Sequence, residues 1–268
     1  MSRIYNSEKI WLTIDVEELV DSNFNIKYKS IVKLDYNKLI DNWLDFCDEN
    51  NIKSTAFVLG SFAKKYPDII RKIHNKGHEI ACHGEDHRLV YKYDREEWYI
   101  KTNIAKSFLE ELINDEVKGY RSPSWSLPYD KEYYEDLIKM GFTYSSSYFP
   151  FKTYMYGHSE DKKKPFTVFT DKGEITEIPL AKFLIPFSGG FYLRLIPTFL
   201  QKMLIYRLAK ITKVIIYIHP YELDSENMFF KHLETANFSK DFFLAFYSSS
   251  SPKKKIKCLL ESIKLNKK

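Results

Sequence analysis

Two histidines four residues apart, His83 and His87, follow the strand-like run from Glu79 to Cys82. Neutral imidazole is the commonest protein ligand for zinc and its neighbours in the first transition row, and two imidazoles at this spacing can bind one ion. Near the N-terminus, an apolar run from Ile10 to Ile14 ends in Asp15-Val16-Glu17. Alternate side chains of an extended segment point to the same side, so both carboxylates would face one site. One could bind a metal while the other accepts a proton.

Two further residues of reactive type, Arg121 and His219, each follow another strand-like run, Val117 to Tyr120 and Val214 to Ile218. In parallel α/β folds, the carboxyl ends of the strands meet at the edge where active sites form. A single Asp at a strand end is usually a cap, and a single His is usually a core or surface group. The arrival of four strand ends at one edge favours a functional site instead.

Strand-like runs and helical patterns alternate along the chain, which predicts a parallel sheet or barrel. Another predicted strand, Thr55 to Leu59, lies between the first two helices. Helix caps such as Asp94 and a closing Gly77 mark several helix ends. The predicted helices are Asp35 to Glu49, about Ala63 to Asn75, Asp94 to about Ile113, near Lys131 to Met140, Pro197 to Lys210 and Lys253 to Ile263.

The stretch at about 149–191 departs from this alternation, because it is rich in aromatic residues, lysine, proline and glycine. It contains one predicted strand, Glu174 to Ile178. A chain of 268 residues is ordinary for one barrel or open α/β sheet and can bury a substantial core. We therefore predict a single domain over residues 1–268, with a long insertion at about 149–191.

The formal net charge of +5 is modest, and much of it lies in two lysine clusters, Lys162-Lys163-Lys164 and Lys253-Lys254-Lys255. A solvated surface is the ordinary interpretation of such runs, with contact to anionic lipid or a polyanionic glycan as the alternative. No zinc finger, basic zipper or RNA-binding aromatic signature accompanies the lysines, so we predict no nucleic-acid partner. Peripheral membrane contact stays open, and the sequence does not give the oligomeric state.

Three cysteines, Cys47, Cys82 and Cys258, are widely spaced in apolar surroundings, which indicates reduced core thiols. No charged n-region followed by a long apolar h-region opens the chain, and no uninterrupted apolar stretch could cross a bilayer. A cytoplasmic location is the expectation that follows.

The reactive residues stand in motifs that occur in a fixed order along the chain. These are Thr13-Ile14-Asp15-Val16-Glu17, His83-Gly84-Glu85-Asp86-His87, Gly119-Tyr120-Arg121-Ser122-Pro123-Ser124-Trp125 and Tyr217-Ile218-His219-Pro220. Their order resembles that of the polysaccharide deacetylases, the NodB-homology or carbohydrate esterase family four superfamily. The resemblance runs from Ile10 to about Asp224 and implies an α/β fold, a distorted (β/α) barrel of that type.

The resemblance also implies roles for individual residues. It makes Asp15 the catalytic base, Arg121 the residue that orients this base, and His219 the acid. His83 and His87 become metal ligands. The commonest first motif has two consecutive aspartates, of which the second binds metal, but the second position here is valine. In the Asp-x-Glu variant the ligand shifts by one residue, which would make Glu17 the third ligand.

Three residues are predicted to contact the substrate: Trp125, as a wall of the acetyl or sugar pocket, Tyr221 and Arg194. The last lies in Ser188-Gly189-Gly190-Phe191-Tyr192-Leu193-Arg194, which resembles a glycine-rich substrate loop of one branch of the family, although a plain turn fits equally well. Glu222 and Asp224 could orient His219 or simply be solvated.

Together these features predict a metal-dependent hydrolase that removes an N-acetyl group from an amino sugar. The expected cofactor is one divalent ion, Zn²⁺ before Co²⁺, Ni²⁺ or Fe²⁺. The expected substrate is an N-acetylated sugar or sugar-carrier intermediate of surface-polysaccharide biosynthesis. Two alternatives stay open: a hydrolase of a small non-sugar amide, such as a ureide or cyclic imide, and a non-catalytic metal- or glycan-binding protein.

Overall fold

The computed structural model of the chain describes residues 10–22, 33–153, 157–160, 162–180, 182, 189, 193, 196–223 and 252–264. The strands are β1 Ile10–Val16, β2 Thr55–Val58, β3 Glu79–Cys82, β4 Gly119–Tyr120, β5 Tyr144–Ser145, β6 Phe166–Thr170, β7 Gly173–Glu177 and β8 Val214–Ile218. The helices are α1 Tyr36–Glu49, α2 Gly60–Lys65, α3 Pro67–Asn75, α4 Arg95–Ile113, α5 Lys131–Lys139, α6 Thr198–Leu208 and α7 Pro252–Lys264. Short 3₁₀ turns are formed by Leu19–Asp21, Val90–Lys92, Pro123–Trp125 and Pro220–Leu223.

The eight strands form one sheet in the order β6-β7-β5-β4-β3-β2-β1-β8. Every pairing is parallel except that of β6 with β7, which is antiparallel. At the centre, Asp15 pairs in register with Phe57, and Ile14 pairs with Ile218. Because the central strands are parallel, their carboxyl ends lie along one edge of the sheet. This curled, mainly parallel sheet confirms the predicted α/β fold.

The two faces of the sheet bury different side chains, as strand β1 shows. Ile10, Leu12, Ile14 and Val16 pack in the large core that the sheet shares with the helices. Trp11, the residue directly after Ile10, points to the opposite face, into a second cluster. Its buried members are Trp11, Phe57, Ala81, Trp125, Phe149, Leu180 and Ile215. Burial of both faces explains why β1 reads as an almost continuous apolar run.

The helices follow the sequence pattern with one break. The predicted helix from Ala63 to Asn75 is two helices, α2 and α3, separated at Tyr66. Pro67 takes the first position of α3, where its missing N–H costs nothing, whereas inside a longer helix it would remove a hydrogen bond. After α3, Gly77 has φ +76°, a conformation that glycine adopts without strain.

The stretch predicted as an insertion supplies two strands of the sheet, β6 and β7, of which only β7 corresponds to the predicted strand. That residues 1–268 form a single domain with an insertion at about 149–191 stays a prediction. Within the described part of the chain, no helix combines the length and the apolar character needed to span a membrane. Cys47 and Cys82 are free and buried, and Cys258 is free and half-buried.

Candidate active site

The carboxyl edge of the sheet collects the reactive residues from four strands. Asp15 lies near the end of β1, and Glu17 directly follows that strand. His83 follows β3, Arg121 follows β4, and His219 follows β8. Strands β1, β3 and β4 lie close together in the sheet order, and β8 pairs directly with β1. The predicted convergence of these groups at one edge is present in the structure.

Three of these side chains form a cluster, here called the ligand triad: Glu17, His83 and His87. One nitrogen or oxygen atom from each lies within 4.8 Å of the others. Glu17 Oε2 is 2.9 Å from His87 Nε2 and 3.8 Å from His83 Nε2. Among the described residues, this is the group of three such side chains close enough to hold a metal ion. Val16, by contrast, faces the helix-covered core and takes no part.

The surroundings of the ligand triad fit a bound cation. His83 Nδ1 lies 2.8 Å from the carbonyl oxygen of Arg121, and because a carbonyl can only accept, Nδ1 carries the proton and Nε2 presents a lone pair to Glu17. Glu17 Oε2 is buried and receives no hydrogen bond from the described residues. The hydroxyl of Tyr221 donates to the other oxygen, Glu17 Oε1, at 3.1 Å. A buried carboxylate oxygen close to two imidazole nitrogens is suited to a divalent metal ion.

The protonation states of Glu17 and His83 also suit a cation, whereas that of His87 opposes it. Burial would raise the pKa of Glu17, but His87, His219 and His83 outweigh it and lower the pKa to about 2. Burial lowers the pKa of His83 to about 4, so its imidazole is neutral near pH 7. Burial also disfavours the charge on His87, yet Glu17 outweighs it and raises the pKa of His87. Because only a neutral imidazole binds a metal ion, protonation of His87 competes with metal binding.

Beside the triad lies a buried ion pair, the carboxylate–arginine pair of Asp15 and Arg121. Arg121 Nη1 donates to Asp15 Oδ1 at 2.6 Å and to Thr13 Oγ1 at 2.9 Å, and Nη2 donates to Ser146 Oγ at 3.2 Å. The guanidinium also stacks 3.9 Å above the ring of Phe57. Both members of the pair are almost fully buried, and these contacts hold the carboxylate in one orientation.

On the other side of Glu17 lies the histidine–glutamate pair of His219 and Glu222. Glu222 Oε2 accepts hydrogen bonds from Nδ1 of His219 at 2.9 Å and from its backbone N–H at 2.8 Å. The ring of Tyr221 stacks on the imidazole with centroids 4.9 Å apart. Burial lowers the pKa of His219, but Glu222 and Glu17 outweigh it and raise the pKa to about 9. A protonated Nε2 therefore faces the triad, 3.9 Å from Glu17 Oε1.

Of the three residues predicted to bind substrate, two lie at or near the ligand triad and one lies outside the described residues. Trp125 is buried beside Arg121, edge-on to Tyr217, with an indole N–H that has no hydrogen-bond partner among the described residues. Its φ of +51° lies in the left-handed region, an uncommon conformation for a bulky residue. Tyr221 contacts the triad directly, as described above. Arg194 and Asp224 lie outside the described residues, so Glu222 is the described partner of His219.

Sequence reasoning missed the residues that support Arg121. Ser146 and Thr13 hold its guanidinium, and Ser147 Oγ accepts a hydrogen bond from the backbone N–H of Ser122, the next residue along. The signal was the run Ser145-Ser146-Ser147 at the end of a strand, where hydroxyl groups can bond a neighbouring turn.

Two family models and several curated proteins match parts of this chain. A family model described as polysaccharide deacetylase matches residues 6–145, and one described as a domain of unknown function, DUF3473, matches residues 146–267. A peptidoglycan-N-acetylglucosamine deacetylase of Bacillus cereus is 34% identical over 96 residues, which cover 36% of this chain and 33% of the relative. One of Listeria monocytogenes is 30% identical over 86 residues, covering 32% of this chain and 17% of the relative. The matches thus span a third or less of these two curated relatives.

Solved structures show the same fold at low sequence identity. A Mycobacterium smegmatis protein classed among the polysaccharide deacetylases has a TM-score of 0.58 at 19% identity, covering 98% of this chain and 93% of its own. The Puue allantoinase has a TM-score of 0.57 at 16% identity, covering 97% and 84%. A mutant of a family-four pseudoenzyme with restored enzymatic activity has a TM-score of 0.50 at 16% identity, covering 85% and 64%. Because the polysaccharide deacetylase model covers just over half of its length, the chain belongs to the polysaccharide deacetylase family.

Proposed function

We propose that this chain hydrolyses the N-acetyl group of an acetylated amino sugar with one divalent metal ion held by the ligand triad. The supporting observation is that the triad, the carboxylate–arginine pair and the histidine–glutamate pair meet at one buried strand edge. Two imidazoles and one carboxylate suit zinc best, and cobalt, nickel or ferrous iron would accept the same ligands. Membership of the polysaccharide deacetylase family supports the same reaction class.

The contacts support the following proposed roles for the metal ion, Asp15 and His219. A metal ion in the triad would supply Lewis acidity towards the acetyl carbonyl and make water a better nucleophile near neutral pH. Asp15, fixed by Arg121, accepts a proton as water attacks the carbonyl carbon. His219, kept protonated by Glu222, gives a proton to the amide nitrogen as the carbon–nitrogen bond breaks. The products are acetate and the free amino sugar.

The finer proposal concerns the substrate. The named relatives act on the N-acetylglucosamine of peptidoglycan, which supports an N-acetylated sugar as the substrate class. Within this class we favour an intermediate of surface-polysaccharide biosynthesis, carried on a nucleotide or a lipid. A finished wall polymer is the competing substrate within the same class.

The test is acetate release by the metal-loaded protein from a panel of N-acetylated substrates. The panel contains free N-acetylglucosamine oligomers, a nucleotide-linked and a lipid-linked N-acetylamino sugar, and peptidoglycan fragments. We expect acetate and free amine in equal amounts from at least one carrier-linked sugar, and no release by the His83→Ala/His87→Ala double variant. Release from peptidoglycan alone would support the proposed reaction but overturn the proposal of a carrier-linked substrate. Absence of acetate from every substrate would overturn both the reaction and the substrate.

A second candidate is a hydrolase of a small non-sugar amide, which the fold shared with the Puue allantoinase favours. Ammonia or a ring-opened acid, formed from a ureide or cyclic imide without acetate, would establish this alternative. A non-catalytic binding protein is the third candidate. The two pairs beside the triad argue against it, because binding a metal or a glycan requires neither an oriented base nor a protonated acid.

A further inference from the structure

Helix α6 is apolar on both of its faces, although one face is open to solvent. Its inner face buries Leu204, Ile205 and Leu208 against the core. On the outer face, Phe199, Met203 and Tyr206 recur at the spacing that places side chains on one stripe of a helix. Their exposed fractions are 76%, 43% and 44%. Ile211, just beyond the helix, extends the stripe and is 56% exposed.

The segment of chain that carries this stripe is basic. Between Glu177 and Glu222 the sequence contains no Asp or Glu, and it contains six Lys and Arg residues. Three of these lie on or directly after α6: Lys202, Arg207 and Lys210. The ammonium group of Lys210 lies 4.2 Å from the centre of the Tyr206 ring, within the stripe itself. The stripe is therefore both apolar and cationic.

Helix α7 packs against α6 and adds more positive charge. Lys255 Nζ donates to the carbonyl oxygens of Leu193 and Ile196 at 3.0 and 2.9 Å, next to the start of α6. On the same helix, Lys254 and Lys257 are exposed. One of the two lysine clusters noted in the sequence thus lies on the helix that packs against α6.

We infer that the outer face of α6 docks on an anionic membrane surface. Aromatic and apolar side chains next to Lys and Arg are the composition of helices that lie in the interface of a bilayer. A two-fold contact of this face with a second copy would instead bring like charges together, which charge repulsion opposes. The inference does not depend on the proposed reaction.

The experiment is sedimentation of the full chain with lipid vesicles. We expect binding to vesicles of mixed phosphatidylcholine and phosphatidylglycerol, little binding to pure phosphatidylcholine, and release by added salt. The double variant Phe199→Ser/Met203→Ser should bind at least about tenfold more weakly. Phe169→Ser is the matched control, because Phe169 lies on β6 and is 73% exposed; it should bind like the unmodified chain.

A charge variant tests the other half of the inference without touching an apolar residue. Lys202→Glu/Lys210→Glu should lose at least about tenfold in binding to the anionic vesicles, whereas Lys172→Glu, on the turn between β6 and β7, should not. Absence of binding to anionic vesicles would overturn the inference. So would a dimer that the Phe199→Ser/Met203→Ser variant dissociates, or a fall in the melting temperature of that variant, since each would show that protein covers the stripe.

Discussion

At the scale of single residues, the alternation of side chains along β1 determines which carboxylate can bind a metal. Asp15 and Glu17 point towards the site, whereas Val16 between them is buried in the helix-covered core. In the proposed metal site, the departure from two consecutive aspartates therefore does not remove a ligand. The proposed ligand is instead Glu17, which lies on the same face of the chain as Asp15.

The first prediction tests this shift by metal content. Glu17→Ala should lose most of the bound metal, because it removes the carboxylate of the ligand triad. Val16→Ala should keep the metal and lose about 2 kcal/mol of unfolding free energy, because it leaves a cavity in the core. The measurements are metal per chain by elemental analysis and unfolding by denaturant. Metal lost from the Val16 variant and retained by the Glu17 variant would show the opposite assignment.

The second prediction separates proton transfer from metal binding at Asp15. Asp15→Asn can still accept a hydrogen bond from Arg121, but it is a far weaker base. We expect kcat to fall by about 10²–10⁴-fold while the metal content stays unchanged. The measurements are kcat and metal per chain, both made on the same preparation of the variant. If the metal is lost together with the activity, Asp15 is a ligand.

The third prediction concerns pH and His219. The protonated form is the proposed acid, so a pKa raised to about 9 keeps activity present at neutral pH and removes it as the pH rises through that value. Glu222→Gln removes the charge that raises the pKa, so the alkaline limb of kcat/KM should move to lower pH. His219→Gln should remove that limb and most of the rate. An alkaline limb unchanged in both variants would assign the acid to another group.

At the scale of elements, the turn after β5 connects the site to a carboxylate that lies outside it. Glu177 on β7 is fully buried, and its Oε1 accepts from the backbone N–H groups of Ser147 and Tyr148 at 2.7 and 2.9 Å. The same turn holds Ser146 against Arg121. The hydroxyl of Tyr134 donates to Glu177 Oε2 at 3.1 Å. Strand β7 therefore helps to orient the carboxylate–arginine pair.

The fourth prediction is that Glu177→Ala lowers both stability and turnover. It leaves three buried donors without an acceptor, which should cost about 3 kcal/mol of unfolding free energy. Glu177→Gln is the matched control: it keeps one acceptor oxygen for the turn and should lose about 1 kcal/mol. Denaturant unfolding and kcat are the measurements. A stable Ala variant with unchanged kcat would show that the turn holds its shape alone.

Local pattern predicted most elements, and the exceptions have physical causes. Helices α2 and α3 were predicted as one because proline fits the first turn of a helix, so Pro67 does not interrupt the apolar periodicity. Strand β6 was missed because it is an edge strand whose alternate residues, such as Phe169, are exposed. Sequence position alone does not distinguish Glu222 from Asp224 as the partner of His219, because the contact depends on how the turn after β8 folds. The contact of Ser146 with Arg121, 25 residues away in the chain, has no local signal.

At the scale of the whole molecule, the two ends of the parallel strands differ in the charge of their buried side chains. The carboxyl ends of the strands hold the charged groups of the site, whereas His78 precedes β3 at the opposite edge. Its Nδ1 accepts a hydrogen bond from the backbone N–H of Ser54 at 3.0 Å, which requires a neutral ring. Burial lowers the pKa of His78 to about 4. The second edge therefore depends on an uncharged imidazole.

The fifth prediction follows from that neutral imidazole. The unfolded chain takes up the His78 proton near pH 6.5, and the folded chain only near pH 4, so stability falls as the pH drops through this window. The loss should reach up to about 3 kcal/mol. His78→Asn can accept the same hydrogen bond without titrating, so its unfolding free energy should vary less between pH 7 and pH 4. Equal pH dependence in both proteins would contradict the assignment.

Arg121 serves the two halves of the site with different parts of its structure. Its side chain orients Asp15, whereas its main-chain carbonyl oxygen orients His83. A substitution at this position removes the first contact, whereas the carbonyl oxygen of the second is present with any residue there. In evolutionary terms, a descendant could thus lose the proposed activity by one codon change and keep the ligand triad. Its return to catalysis would need the restoration of a side chain rather than the rebuilding of a metal site.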